Sequence, residues 1–277
     1  MGLFSINYSK AGPGVPKNGP KKKPFFLFWE IFFRKFWKLV PLNIVYFLLC
    51  LPIITIGPAT AGFTKVIRNF SQEKHAFVWS DFFEAFMKNL KQALPVGIFD
   101  VLVTASIVLG FQIYPAMAEQ NSFYYVPYVL SISIGIILLI MHFYIYLMIV
   151  TVDLPLKNIF KNAFILSCVA IKKNLITLVC VVLVIGGVFA LSWYVSMFFL
   201  LLYPLIALSL AQMIICFNSY PVIQKYIINP YYEERGEQNP ETRYLQPLDE
   251  EEVVFTDKGG SEAPIKGQQS RKGKIIS

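Results

Sequence analysis

The sequence predicts an all-α, polytopic integral membrane helical bundle, with about five crossings plus one segment broken or turned back at Pro and Gly. Three observations point there. The chain is 56% hydrophobic and 15% charged, whereas soluble domains carry roughly 25% charged residues. Between residues 39 and 220 the only acids are Glu73, Asp81, Glu84, Asp100, Glu119 and Asp153. That stretch holds four apolar runs, near 93–117, 126–151, 174–195 and 197–219. Each is close to the ~20 residues that cross a ~30 Å hydrocarbon layer.

Residues 1–23 read as a disordered basic arm, with Pro13-Gly14-Val15-Pro16 and Lys21-Lys22-Lys23. A membrane domain follows over 24–225. In residues 24–38, Glu30, Arg34 and Lys38 form one polar stripe, and Phe25, Phe26, Trp29, Phe32, Phe33, Phe36 and Trp37 cover the rest. Such a helix is expected to lie in the headgroup plane. A deep segment begins at Pro41 and is expected to break at Pro52 and Gly57-Pro58. Residues 41–67 therefore either cross once, briefly, or form a hairpin that returns through Ala61 to Ile67. Ala59-Thr60-Ala61 has the small-x-small form of a cleavage site, but the charged region before it is too long for a signal peptide.

Two amphipathic elbows precede spans. In the first, Asp81-x-x-Glu84 is a capping-box pattern. Trp79, Phe82, Phe83, Phe86 and Leu90 share a face opposite Glu84, Lys88 and Lys91. This elbow either rests on headgroups or docks a partner through Trp79, Asp81, Phe82, Phe83 and Phe86. The second opens at Pro155, where a first helical turn accepts proline, and sets Lys157, Asn158, Lys161 and Asn162 against Ile159, Phe160, Ala163 and Phe164. Lys88-Asn89-Leu90 and Lys173-Asn174-Leu175 close the two elbows, suggesting a weak repeat of elbow, span, turn and span. Residues 226–277, with the acidic run Asp249, Glu250, Glu251 and Glu252, are expected to be a disordered cytoplasmic tail.

The net charge of +8 comes largely from lysine and arginine beside apolar runs, a signature of lipid headgroups and the positive-inside rule. No basic recognition helix or RNA-stacking motif accompanies it, so nucleic acid is not an expected partner. Lys65, Arg68, Lys74, Lys88 and Lys91 precede one span and Lys157, Lys161, Lys172 and Lys173 another, while 118–125 has neither lysine nor arginine. Residues 65–92, 152–173 and the C-terminal tail are thereby assigned to the cytoplasm. The basic N-terminus wants the same side, which favours the hairpin for 41–67.

No phosphate-binding glycine loop, His-Glu-x-x-His or Gly-x-Ser-x-Gly is present. Cys50, Cys168, Cys180 and Cys216 are scattered singly, so neither a metal nor a cofactor is expected, and no enzyme. What remains is an intramembrane pair, Asp100 and His142, at similar depth on antiparallel spans. Gly97, Asp100 and Thr104 share one helix face, and Ser131, Gly135 and His142 another, as helix–helix contacts do. The pair is either a proton or substrate site or a polar pin between helices. Asn43, Gln112 and Gln212 read as packing residues.

Leu51-Pro52-Ile53, Ile56-Gly57-Pro58-Ala59-Thr60-Ala61-Gly62 and Phe77-Val78-Trp79-Ser80-Asp81-Phe82-Phe83 resemble the YesL-like family of bacterial membrane proteins. The Phe25–Leu39 helix, Pro13-Gly14-Val15 and Val254-Phe255-Thr256-Asp257 are similar too. The shared domain of that family has no established function. The resemblance covers most of the chain and implies a Gram-positive cell membrane. Members often occur beside carbohydrate importers, which implies an accessory role in sugar uptake with an ABC permease as partner. The alternative from the residues themselves is a small secondary transporter using Asp100 and His142.

Overall fold

A computed structural model describes residues 23–237 and 239–243. The expected N-terminal arm (apart from Lys23), the acidic run and the resemblance motifs at 13–15 and 254–257 lie outside the described residues.

Ten α-helices are described: α1 (Pro24–Cys50), α2 (Ile56–Ser71), α3 (Val78–Lys88), α4 (Leu90–Gln120), α5 (Tyr125–Ile149), α6 (Leu156–Val169), α7 (Ile171–Tyr194), α8 (Leu208–Ile223), α9 (Asn229–Glu233) and α10 (Pro240–Arg243). π-Helical segments at Tyr203–Ala207 and Gln224–Ile228 extend α8 at both ends. Met197–Glu233 is thus one helical run of 37 residues, and with Leu90–Gln120, Ser122–Ile149 and Ile171–Tyr194 it is long and apolar enough to cross a membrane. The described residues contain no strand. The chain is a multi-pass helical bundle.

At the centre of the bundle is α2, which packs on α1, α3, α4, α5 and α8. From Gly57 to Ser71 every residue but Lys65 is buried. The Gly57-Pro58 pair does not break the chain as expected. Pro58 falls in the first turn of α2, where a missing N–H costs no helical bond, and Gly57 lets the backbone approach α4. The break lies earlier, at Leu51–Thr55, where Thr55 N–H donates to Pro52 O at 2.9 Å and the Thr55 hydroxyl reaches the Leu49 and Pro52 carbonyls.

Across that break α1 and α2 run antiparallel. Tyr46 stacks on Phe63 with centroids 4.1 Å apart, Lys35 Nζ lies 5.3 Å from the Phe70 ring centroid, and Arg34 pairs with Glu73. The partners move outward from the break together, as in a helical hairpin. The boundary expected between a headgroup helix ending at 38 and a segment starting at Pro41 is absent, because α1 runs through Pro41. Proline forfeits one helical hydrogen bond there, and the burial of Leu39, Leu42 and Asn43 around it compensates.

Two cavities fix the ends of the bundle. One is bordered by α2, α3, the start of α4 and the end of α5. The other joins Pro24, Ser71, Lys173 and Pro221. The start of α1, the end of α2, the starts of α4 and α7 and the end of α8 therefore share one end, which carries the lysines and arginines. The turns at 121–124 and 195–202 lie at the other.

Each elbow joins its span across one non-helical residue, Asn89 or Ala170. Asn89 Nδ2 donates to Ala85 O at 2.9 Å, while Asn174, a turn further on in α7, donates to Leu166 O at 3.1 Å and Ser167 O at 2.9 Å. The Lys-Asn-Leu steps are thus not equivalent in position, although both asparagines satisfy carbonyls that the end of a helix leaves open. The capping pattern is also displaced. Phe77 is the N-cap residue, and Asp81, inside the first turn, accepts from Phe77 N–H at 3.2 Å. At the far end of the membrane domain the helical run continues past residue 226 to Glu233, into the start of the expected tail, whose residues after Arg243 lie outside the described ones.

Candidate functional site

The α4–α5 hairpin sets the register of the site. Phe111 meets Tyr128 edge-on with centroids 5.7 Å apart, a Cβ on Gly110 would lie 3.6 Å from Ser131 Oγ, and one on Gly135 would lie 3.0 Å from Ile107 Cδ1. Continuing towards the basic end, this register brings Asp100 opposite His142 and Tyr146. Tyr146 O–H donates to Asp100 Oδ2 at 2.9 Å, and His142 Nδ1 lies 3.5 Å from the same oxygen. The first is an ordinary hydrogen bond. The second is at the outer edge of hydrogen bonding but within ion-pair range for a protonated imidazole.

Tyr146 is 1% exposed, so its hydroxyl needs a partner inside the protein. The Asp100 and His142 side chains keep 23% and 35% of their surface. One Asp100 oxygen thus receives the Tyr146 hydroxyl and faces the His142 imidazole. The hairpin tip packs on α4 at Gly97, one turn before Asp100. Tyr46 is fixed by its hydroxyl contact with Thr60 Oγ1 at 3.2 Å.

Sequence reasoning brought Asp100 and His142 together and missed Tyr146. Its signal was available: Tyr146 stands one turn after His142 on the same α5 face. Gly97, placed on the Asp100 face, packs instead on Gly57 of α2.

The elbow residues divide. Phe82 and Phe86 are 1% and 8% exposed and belong to the core. Phe82 packs where Gly62 leaves room, since a Cβ there would come within 2.7 Å of Phe82 O. Asp81 serves the helix start. Only Trp79 and Phe83 of the proposed docking set face outward, joined by Met87. Phe82 and Phe86 are thus withdrawn from that surface. Both kinds of residue are apolar, so hydrophobicity alone could not separate the inward stripe from the outward one.

Asn43 is fully buried, donating to Tyr203 O and accepting from Ser209 Oγ at 3.0 Å. Gln212 Nε2 donates to Thr64 Oγ1 at 2.9 Å. Both tie α8 and the π segment before it to the hairpin. Gln112, expected to pack, is exposed. The four cysteines are free and lie on separate helices.

A family described as a protein of unknown function, DUF624, matches residues 39–111. That stretch runs from the inner half of α1 through α2 and α3 into α4, and includes Asp100 but neither His142 nor Tyr146. No curated protein and no solved structure matches the chain.

Proposed function

We propose that the chain is a non-enzymatic accessory or regulatory component of a carbohydrate importer in the cell membrane, seated against the importer's ABC permease through the outward stripe of α3. The supporting observation is that stripe: Trp79, Phe83 and Met87 are 55%, 44% and 65% exposed beside a fully packed inner face. Aromatic and methionine side chains are enriched in protein interfaces. The choice of an importer draws on the resemblance to the YesL-like family, and the cytoplasmic assignment of the basic end and the tail on positive-inside.

Gentle purification of the tagged protein from its native membrane, followed by identification of what accompanies it, tests this reading. A carbohydrate permease recovered with the wild type and lost with Trp79→Lys and Phe83→Lys supports it. A permease retained by both variants, or absent throughout, defeats it.

A second reading is favoured by the contact itself: a small secondary transporter in which Asp100 and His142 handle a proton, with the Tyr146 hydroxyl holding Asp100 in place. Asp100→Asn would then abolish uptake at unchanged protein level, whereas unchanged uptake leaves the contact a structural pin.

A further inference from the structure

A cleft of about 630 Å³ opens at the basic end between α2, α3, the start of α4 and the end of α5, within the ~300–1,000 Å³ typical of small-molecule sites. Lys65, Asn69 and Thr151 line its α2–α5 side. Bonded to that wall is Arg68, 7% exposed. One guanidinium nitrogen donates to Thr151 Oγ1 at 3.1 Å and another to Asn69 Oδ1 at 2.9 Å. The guanidinium carbon lies 5.3 Å from the Tyr220 ring centroid. Its Nε has no partner among the described residues, nor does any carboxylate among them pair with it. A buried cation without a counter-ion is costly.

Arginine only donates, so the atoms it holds on Asn69 and Thr151 are acceptors. The Asn69 amide N–H₂ and the Thr151 O–H remain as donors on the cleft wall. Lys65 adds an ammonium group that has no carboxylate within ion-pair distance among the described residues. Asp81, Glu84 and Asp153 also border the cleft; Asp81 accepts from Phe77 N–H, Glu84 and Asp153 are exposed, and none pairs with Lys65 or Arg68 among the described residues. No acid cluster among the described residues has the form of a metal site. On this wall two cations and two neutral donors suit the several acceptor oxygens of a tetrahedral phosphate, as an ester or a phosphodiester, better than a single carboxylate, and Lys88 and Lys91 line the same cleft.

We propose that this cleft binds a phosphate group, from a soluble phosphate ester or a lipid headgroup, between Lys65 and the Asn69–Thr151 donors, with Arg68 supplying charge from behind. The site stands independently of the importer reading.

The full-length protein in an uncharged maltoside detergent is melted against inorganic phosphate at constant ionic strength, with chloride as control. Saturating phosphate should raise Tm by about 3 °C, and Lys65→Gln should move the titration midpoint by about tenfold. Asn69→Asp places a carboxylate on Arg68. It should raise Tm without phosphate and cancel the phosphate response. In the second arm, protein extracted from phosphatidylcholine vesicles containing phosphatidylglycerol is weighed by native mass spectrometry. Phosphatidylglycerol kept by the wild type and lost by Asn69→Asp identifies the headgroup as the source, and a phosphate response without lipid retention identifies a soluble ester. A wild type showing neither effect, or an Asn69→Asp variant that keeps them, overturns the site.

Discussion

Gly57 and Gly97 meet backbone to backbone, so closely that a Cβ on Gly97 would stand 2.5 Å from Gly57 N and 2.6 Å from its Cα. Backbone cannot step aside as a flexible side chain can. Gly97→Ala should therefore push α2 from α4 and cost about 1–3 kcal/mol, the range of core overpacking. Gly186→Ala in α7, where nothing lies within 4 Å of the added carbon, should be neutral or gain up to about 1 kcal/mol of helix propensity. Thermal melts of the two variants in one detergent make the comparison, and equal effects would refute the close crossing.

The shared oxygen of Asp100 predicts two unequal couplings. Paired with Asp100→Ala in double-mutant cycles, Tyr146→Phe should couple more strongly than His142→Gln, because its contact is 2.9 Å rather than 3.5 Å. Hydrogen bonds between membrane helices average about 0.6 kcal/mol and reach about 1.7, which sets the scale. Strict additivity in both cycles would show that the three side chains do not meet.

Burial, reinforced by Arg68 and then Lys88, pushes the Lys65 ammonium below its ordinary pKa of 10.5. A cation disfavoured by the fold carries its full penalty below the lowered pKa and none above the unfolded value. Unliganded stability should thus gain a Lys65 contribution as pH rises towards about 10.5. Melts of the wild type and Lys65→Met from about pH 8 upward should show a steeper rise in the wild type. Parallel curves would mean that Lys65 is fully hydrated.

For topology, Phe25→Cys, Lys91→Cys and Asp153→Cys, all at exposed positions, should react with an impermeant maleimide only once the cytoplasmic side is opened. Asn121→Cys should react in intact cells. Phe25→Cys labelling together with Asn121→Cys would mean that residues 41–67 cross the bilayer after all.

The spans were legible because twenty apolar residues in a row have few other uses, and the Asp100–His142 meeting because antiparallel neighbours at equal depth must face each other. The role of α2 was not legible. Its glycines, threonines and charges resemble a polar return, yet small residues are what let five helices crowd round one. The continuity of α1 was hidden for the opposite reason. Pro41 looks like a boundary locally, and only the burial of Leu39, Leu42 and Asn43 overrides it.

The hairpin tip has one further consequence. It meets α4 near Gly97, leaving the rest of α4 to run on against α5, and α5 records the change. Met141 and every residue from Phe143 to Val150 are buried, while Val126, Val129, Leu130 and Ile134 are each more than half exposed. Along α4 and α5 the surrounding protein therefore tapers, like a wedge, from the basic end to the 121–124 turn. Such a wedge displaces lipid unequally, so leaflet asymmetry and the stored bending of the bilayer enter its own folding free energy. Replacing phosphatidylcholine with cone-shaped phosphatidylethanolamine should accordingly shift its unfolding, even where no lipid is bound at any particular residue.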